Sequence, residues 1–193
     1  MKIHWTRVLF LLLVAFIVVC SSQVGGAIIF CAGDSITEVG YPHFLKRILN
    51  KEGIRARVLN YGRSGFTSGE YLRFLERNQR ILSEECPDFV LLQLGTNDVR
   101  EDGDYTPCDE FKSNMEKIIE IFQGFRNRRG EKTEIFLATI PPVPEASSFP
   151  FSSRGAERVK TEINPLLEKI AEEKQILKVD NYSLFLKFPH FLP

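Results

Sequence analysis

Short apolar runs alternate with segments of helical periodicity along this chain, and that alternation leaves few architectures open. The runs are Ala27 to Ala32, Ala56 to Tyr61, Phe89 to Leu94, Glu134 to Thr139 and Ile176 to Val179. Near-continuous apolar strands of this length belong to a parallel sheet covered on both faces. The intervening segments His43 to Lys51, Glu70 to Leu82 and Asp109 to Phe125 repeat their apolar residues at helical spacing. A fourth helix is predicted from about Ala156 to Lys174, with Pro165 kinking or dividing it. Pro141, Pro142, Pro144 and Pro150 mark a loop after the fourth strand. The pattern predicts one α/β domain in this chain of 193 residues, with no repeat or linker to divide it.

Charge narrows the partners. Lys+Arg and Asp+Glu balance at 25 each, so no net field favours nucleic acid or an anionic surface. Arg126, Arg128 and Arg129 form a tight basic cluster at the end of a predicted helix, where they complement its dipole. At the N-terminus, Lys2 and Arg7 precede the apolar run Val8 to Val19, and Ser21, Ser22 and Gln23 follow. Residues 1–22 therefore read as a secretory signal peptide cleaved near Ser22, with an uncleaved anchor as the alternative. Secretion or export to the periplasm follows, and contact with a membrane arises only through an uncleaved segment. Val18 and Val19 argue against lipidation at Cys20. Cys86 and Cys108 flank the third strand at opposite ends, too far apart to bridge. No Cys/His spacing suits a metal, and no glycine-rich phosphate loop occurs, so neither metal nor cofactor is expected and a nucleotide-binding reading is disfavoured.

Chemistry concentrates after the first three strands. Gly33-Asp34-Ser35 follows the first, Asn60 to Gly69 the second and Gly95-Thr96-Asn97-Asp98 the third. In a parallel sheet these loops share one edge, where ligands bind. Ser35 is a candidate nucleophile there, although Asp34, Ser35 or Thr37 can equally cap the next helix. Attack on an ester carbonyl creates an oxyanion that needs fixed donors. Gly65 lets a backbone N–H approach closely and Asn97 offers an amide; each is also an ordinary turn residue when taken alone.

Three motifs, Gly33-Asp34-Ser35-Ile36-Thr37, Asn60 to Gly65 and Gly95-Thr96-Asn97-Asp98, in this order and spacing, resemble those of the SGNH hydrolases, the GDSL-like lipase/esterase family, over about Ala27 to Asp180. The resemblance implies a three-layer α/β/α, flavodoxin-like fold with a parallel five-stranded sheet. It implies Ser35 as nucleophile, with the Ser35 and Gly65 backbone N–H groups and the Asn97 side chain as the oxyanion hole. Asp34 is expected to orient the turn. Members cleave acyl, thioester or acetyl groups on lipids, sugars and small molecules without a cofactor. A small-molecule, lipid or carbohydrate ester is thus the expected substrate. Phe66, Tyr105 and the proline-rich loop are candidates for shaping the pocket.

The family's base comes from an Asp-x-x-His motif after the fifth strand, and no Asp-x-x-His occurs in this sequence. The histidines are His4 in the leader, His43 at a predicted helix start and His190 near the C-terminus. One expectation is a domain over residues 23–193 that is C-terminally truncated, its dyad and final helix missing. The alternatives are His190 as an improvised base, and a pseudoenzyme that binds esters or carbohydrates without turnover. Leu184, Phe185, Leu186, Phe188, Phe191 and Leu192 then form an apolar tail that favours self-association unless it folds back. Asn181-Tyr182-Ser183 is a glycosylation sequon.

Overall fold

The computed structural model describes residues 25–101, 105–143 and 152–188. The expected signal segment, residues 1–22 with His4 and Cys20, the prolines Pro144 and Pro150, and His190, Phe191 and Leu192 lie outside the described residues.

Five strands form one parallel sheet: β1 (Ala27–Gly33), β2 (Ala56–Gly62), β3 (Phe89–Gln93), β4 (Glu134–Ala138) and β5 (Leu177–Val179), in the order β2-β1-β3-β4-β5. Each coincides with a predicted apolar run to within a residue or two at its ends. Alternate residues of one strand feed two different cores. Ile28, Phe30 and Ala32 of β1 face one side with Val90 and Leu92 of β3, whereas Ala27, Ile29 and Cys31 face the other with Phe89 and Phe136.

The first core is covered by α3 (Ser68–Glu84), α4 (Cys108–Gly124) and the segment that leads into β5. Tyr71, Leu75, Phe111, Met115 and Ile118 supply its fully buried side chains. On the opposite face α2 (Tyr41–Lys51) packs Leu45 and Leu49 against the sheet. Helices therefore lie on both faces, giving the three layers that the sequence predicts.

Pro165 divides its helix as expected. The segment reads α5 (Ser153–Arg158), a π-helical stretch Val159–Ile163, and α6 (Asn164–Glu173). Within the wide turn the Asn164 N–H bonds to the Val159 carbonyl, and Pro165 sits in the first turn of α6, where its missing N–H costs least. Asn164 is buried and clamps the end of β4, accepting from the Ile140 N–H at 2.9 Å and donating to the Ile140 carbonyl at 3.0 Å.

Three details differ from the sequence reading. A one-turn helix α1 (Ser35–Glu38) follows β1, and residues 181–187 of the apolar tail form α7 (Asn181–Lys187). Its N-cap is Asp180, whose Oδ1 accepts from the Ser183 N–H at 2.9 Å. In the basic cluster Arg126 bonds the carbonyls that end α4, those of Gln123, Gly124 and Phe125. Arg128 instead donates to the Gly26 carbonyl, and Arg129 pairs with Glu131. Cys31, Cys86 and Cys108 are free thiols. Among the described residues no helix is long and apolar enough to cross a membrane.

Candidate active site

In the observed strand order the chain leaves β1 for β2 on one side and then crosses to β3 on the other. The crevice above β1 and β3 is thus the topological switch point, where open α/β sheets bind ligands. Register places Gly33 level with Gly62 and Gln93, so the three motif loops leave the sheet side by side.

Gly33 is needed at this point because β3 passes so close. A Cβ here would lie 2.1 Å from the Gln93 carbonyl oxygen and 2.4 Å from Thr37 Oγ1. Asp34 follows as the N-cap of α1, its Oδ1 accepting from the Ile36 N–H at 3.0 Å. The capping role thus falls to Asp34. Ser35 occupies the first helical position and is half-buried at the sheet edge.

The second loop is tied back to the first. The Gly33 carbonyl accepts from the Arg63 N–H at 2.9 Å. Asn60 donates to the Glu38 carbonyl at 2.7 Å, and the Glu38 carboxylate accepts from the Ser64 N–H at 2.8 Å. The Ser64 hydroxyl first, and then this Ser64 N–H, hold the Glu38 carboxyl below its ordinary value. Gly65 has φ +80°, and an added Cβ would meet nothing within 4 Å, so its conformation and not crowding selects glycine. Thr67 closes the loop with a capping box at the start of α3, accepting from the Glu70 N–H while the Glu70 side chain accepts from the Thr67 N–H at 2.9 Å.

The third loop is buried. Asn97 opens a 3₁₀ turn (Asn97–Val99) and donates from Nδ2 to the Phe66 carbonyl at 2.9 Å, which joins it to the second loop. One of its two amide hydrogens serves that bond and the other is available to a ligand. The Asp98 carboxylate accepts from the Ser68 N–H and, at 2.6 Å, from the Ser68 hydroxyl, which in turn accepts from Asn114 at 3.1 Å. Behind this turn stands Arg158, a guanidinium only 4% exposed. It donates to the Asp98 carbonyl at 2.6 Å and to the Thr106 carbonyl, and pairs with Glu162 at 2.9 Å.

Electrostatics follow from this burial. The Asp34 carboxyl is pushed up to about 6 by desolvation, opposed by its bond from Ile36 and by the nearby Thr96 hydroxyl and N–H. Thr96 approaches closely enough to favour the charged form, although neither Asp34 Oδ2 nor Thr96 Oγ1 makes a hydrogen bond of good geometry. Desolvation also raises the Asp98 carboxyl, against the pull of Ser68, Thr106 and Arg158. Asp34 Oδ2, Thr37 Oγ1, Gln93 Nε2 and Thr96 Oγ1 are buried without a partner among the described residues, and all four belong to this sheet edge. Unsatisfied polar atoms concentrated at one place mark a functional edge better than a structural one.

The structure thus gathers Ser35, Gly65 and Asn97 on adjoining loops of one rim, with Asp34 beneath. His43 is exposed on α2, and the N-cap of that helix is Gly40. Tyr105 stacks over Arg158, 4.1 Å from the guanidinium carbon to the ring centroid, and serves the clamp behind the third loop. Ser68 stands in the second polar cluster, but Asn114 and Arg158 carry no sequence signal; a polar or charged residue on an amphipathic helix gives no sign that tertiary packing will bury it. Among the described residues no three His, Cys, Asp or Glu side chains gather where they could hold a metal ion.

Comparison with known proteins agrees with this architecture. An isoamyl acetate-hydrolyzing esterase of Schizosaccharomyces pombe is 37% identical over 94 residues, which cover 47% of this chain and 37% of that protein. The match thus spans little more than a third of the relative's length. A carbohydrate acetylesterase family member from Sinorhizobium meliloti superposes with a TM-score of 0.67 at 20% identity, covering 81% of this chain and 84% of the other. The acetylxylan esterase Axe2 of Geobacillus stearothermophilus gives 0.66 at 21% identity over 89% and 83%. The SGNH-hydrolase family esterase AlinE4 gives 0.62 at 21% over 89% and 85%. At such identities these structures establish the shared fold. The family profile reaches further into the sequence, matching residues 31–191, and on that match the chain belongs to the GDSL-like lipase/acylhydrolase family.

Proposed function

We propose that this protein hydrolyses small carboxylic esters, acetyl esters first among them, with Ser35 as nucleophile. The observation that carries the reading is the rim itself, in which residues from three successive strand ends are hydrogen-bonded into one wall at the switch point. The substrate class rests on the relatives, whose names specify isoamyl acetate, carbohydrate acetyl groups and acetylxylan.

Attack forms a bond from Ser35 Oγ to the carbonyl carbon as the hydroxyl proton passes to a base, and the carbonyl electron pair moves onto oxygen. The Ser35 and Gly65 N–H groups and the free Asn97 amide hydrogen stabilise that charge; such a donor is worth on the order of 10²–10³ in rate. Collapse breaks the bond to the alcohol oxygen, which leaves with a proton, and water then releases the acid from the serine. Asp34 holds the turn through its cap to Ile36. His190 is the histidine proposed as base, and residues 1–22 are proposed to direct export.

A second reading keeps the rim without the chemistry, so that it binds an ester or a carbohydrate without turnover. Labelling with a fluorophosphonate probe separates the two. Covalent modification of Ser35, abolished in Ser35→Ala and accompanied by hydrolysis of 4-nitrophenyl acetate, is the expected result. Saturable ligand binding with neither labelling nor hydrolysis establishes the binding role instead.

A further inference from the structure

The outward face of α2 carries charge and apolar surface that the ester site does not use. From Val39 to Arg57 the sequence has five basic residues and one acidic residue, in a chain whose formal net charge is zero. Lys46, Arg47 and Lys51 are exposed and form no ion pair among the described residues. Beside them Phe44 is 57% and Ile48 37% exposed, and Val39 just before the helix is 80% exposed. At 3.6 residues per turn, positions 44, 47, 48 and 51 fall within about 100° of one another, so two apolar and two basic side chains share one stripe. The inward face is meanwhile fully used, with Pro42 and Leu49 buried and Leu45 packed on the second core.

We propose that this face of α2 docks the protein on an anionic lipid surface. Three arguments select that occupant. A second copy fits poorly, because a two-fold contact through α2 would set Arg47 and Lys51 against their own counterparts. An acidic peptide helix needs a groove, and a single helix lying on a sheet offers a convex ridge. Basic side chains interleaved with Phe and Ile on one helical face match the headgroup boundary of a bilayer, where cations meet lipid phosphate and the apolar residues enter the acyl region. Placement agrees: α2 begins two residues after α1, so its first turn lies at the sheet edge that carries Ser35. Docking would hold the rim beside the lipid phase, where apolar esters partition.

The docking does not depend on ester hydrolysis, and its test reads binding alone. The full chain is sedimented with vesicles of phosphatidylcholine containing phosphatidylglycerol, and with pure phosphatidylcholine, at low and high salt. Expected is binding to the anionic vesicles that weakens with salt and falls at least tenfold in the Arg47→Glu/Lys51→Glu variant, and severalfold in Phe44→Ser. These positions are exposed, so both variants are expected to keep the wild-type unfolding midpoint, which checks that the loss is not misfolding. Equal binding of wild type and charge-reversed protein overturns the proposal, whatever holds them to the vesicle. So does capture by soluble poly-glutamate without vesicle binding, or a concentration-dependent dimer that Phe44→Ser abolishes.

Discussion

The Asn97 loop and the Gly65 loop form adjoining parts of one rim, yet they are held by opposite means. Asn97, Asp98 and Val99 are 5%, 0% and 1% exposed, and their polar groups are met by Ser68, Thr106, Arg158 and, through Ser68, Asn114. Ser64 and Gly65 lie on the open side, where the Ser64 N–H is held by a fully exposed carboxylate. Low local dielectric strengthens every bond of the first loop and leaves the second to compete with water. One wall of the site is thus fixed and the other can adjust, a division suited to the roles proposed for them, the Asn97 amide meeting developing charge and the Gly65 lip admitting substrate.

The largest break in this contrast should come from Arg158→Met, which keeps an apolar stem and removes the guanidinium. Two hydrogen bonds from a charged donor, each worth ~1.5–3 kcal/mol, are lost from the Asp98 and Thr106 carbonyls. Because the Asp98 carbonyl retains the Thr106 N–H, the expected loss is about 3–4 kcal/mol in urea denaturation. Hydrogen exchange should accelerate at residues 97–99 and at Thr106 and stay unchanged at Ser64. A loss below about 1 kcal/mol, or equal loosening of both loops, would show that the clamp is not what makes them different.

Next in size is Asp34, the buried group between the two loops. Its carboxyl titrates near 6 in the folded protein against 3.8 for the free side chain, so protonation favours the folded state. The associated stability is fully present below about pH 3.8 and is lost as pH rises through about 6. A shift of about two units corresponds to roughly 2–3 kcal/mol. Asn at this position can still accept from the Ile36 N–H, so Asp34→Asn should keep the cap and lack this part of the slope between pH 4 and 6. Parallel slopes in wild type and variant would mean that Asp34 is hydrated and that the burial of the third loop stops short of it.

How much of this was legible in the sequence depends on the physical range of each signal. The strands and main helices are local periodicities, and all five predicted strands occur. Ser35, Gly65 and Asn97 share one edge because a parallel sheet leaves loops after successive strands no other place. The capping of α1 by Asp34 and not Ser35 is a choice among adjacent side chains that composition leaves open. Arg158 was illegible for a different reason. It is an arginine four residues before a glutamate, which in sequence reads as an exposed helical pair, and only the packing of α5 against the 3₁₀ turn makes it a buried clamp. Tyr105, an aromatic residue in a loop, is used by that same clamp.

Gly65→Ala gives the smallest expected effect and the sharpest test of the open lip. A non-glycine residue at φ +80° costs about 1–2 kcal/mol of backbone strain. At a crowded position a collision would be added to that cost, as at Gly33, where a Cβ would lie 2.1 Å from a carbonyl oxygen. At Gly65 the new methyl meets nothing within 4 Å, so the strain should be the whole of the loss in urea denaturation. Hydrogen exchange around Asn97 should not change, because the Phe66 carbonyl can keep its bond from Asn97 while residue 65 relaxes toward solvent. A loss well above about 2 kcal/mol would mean that relaxation of the lip is resisted. Faster exchange at Asn97 would mean that the resistance passes through the Phe66 bond, making the two loops one rigid unit despite the difference in their burial.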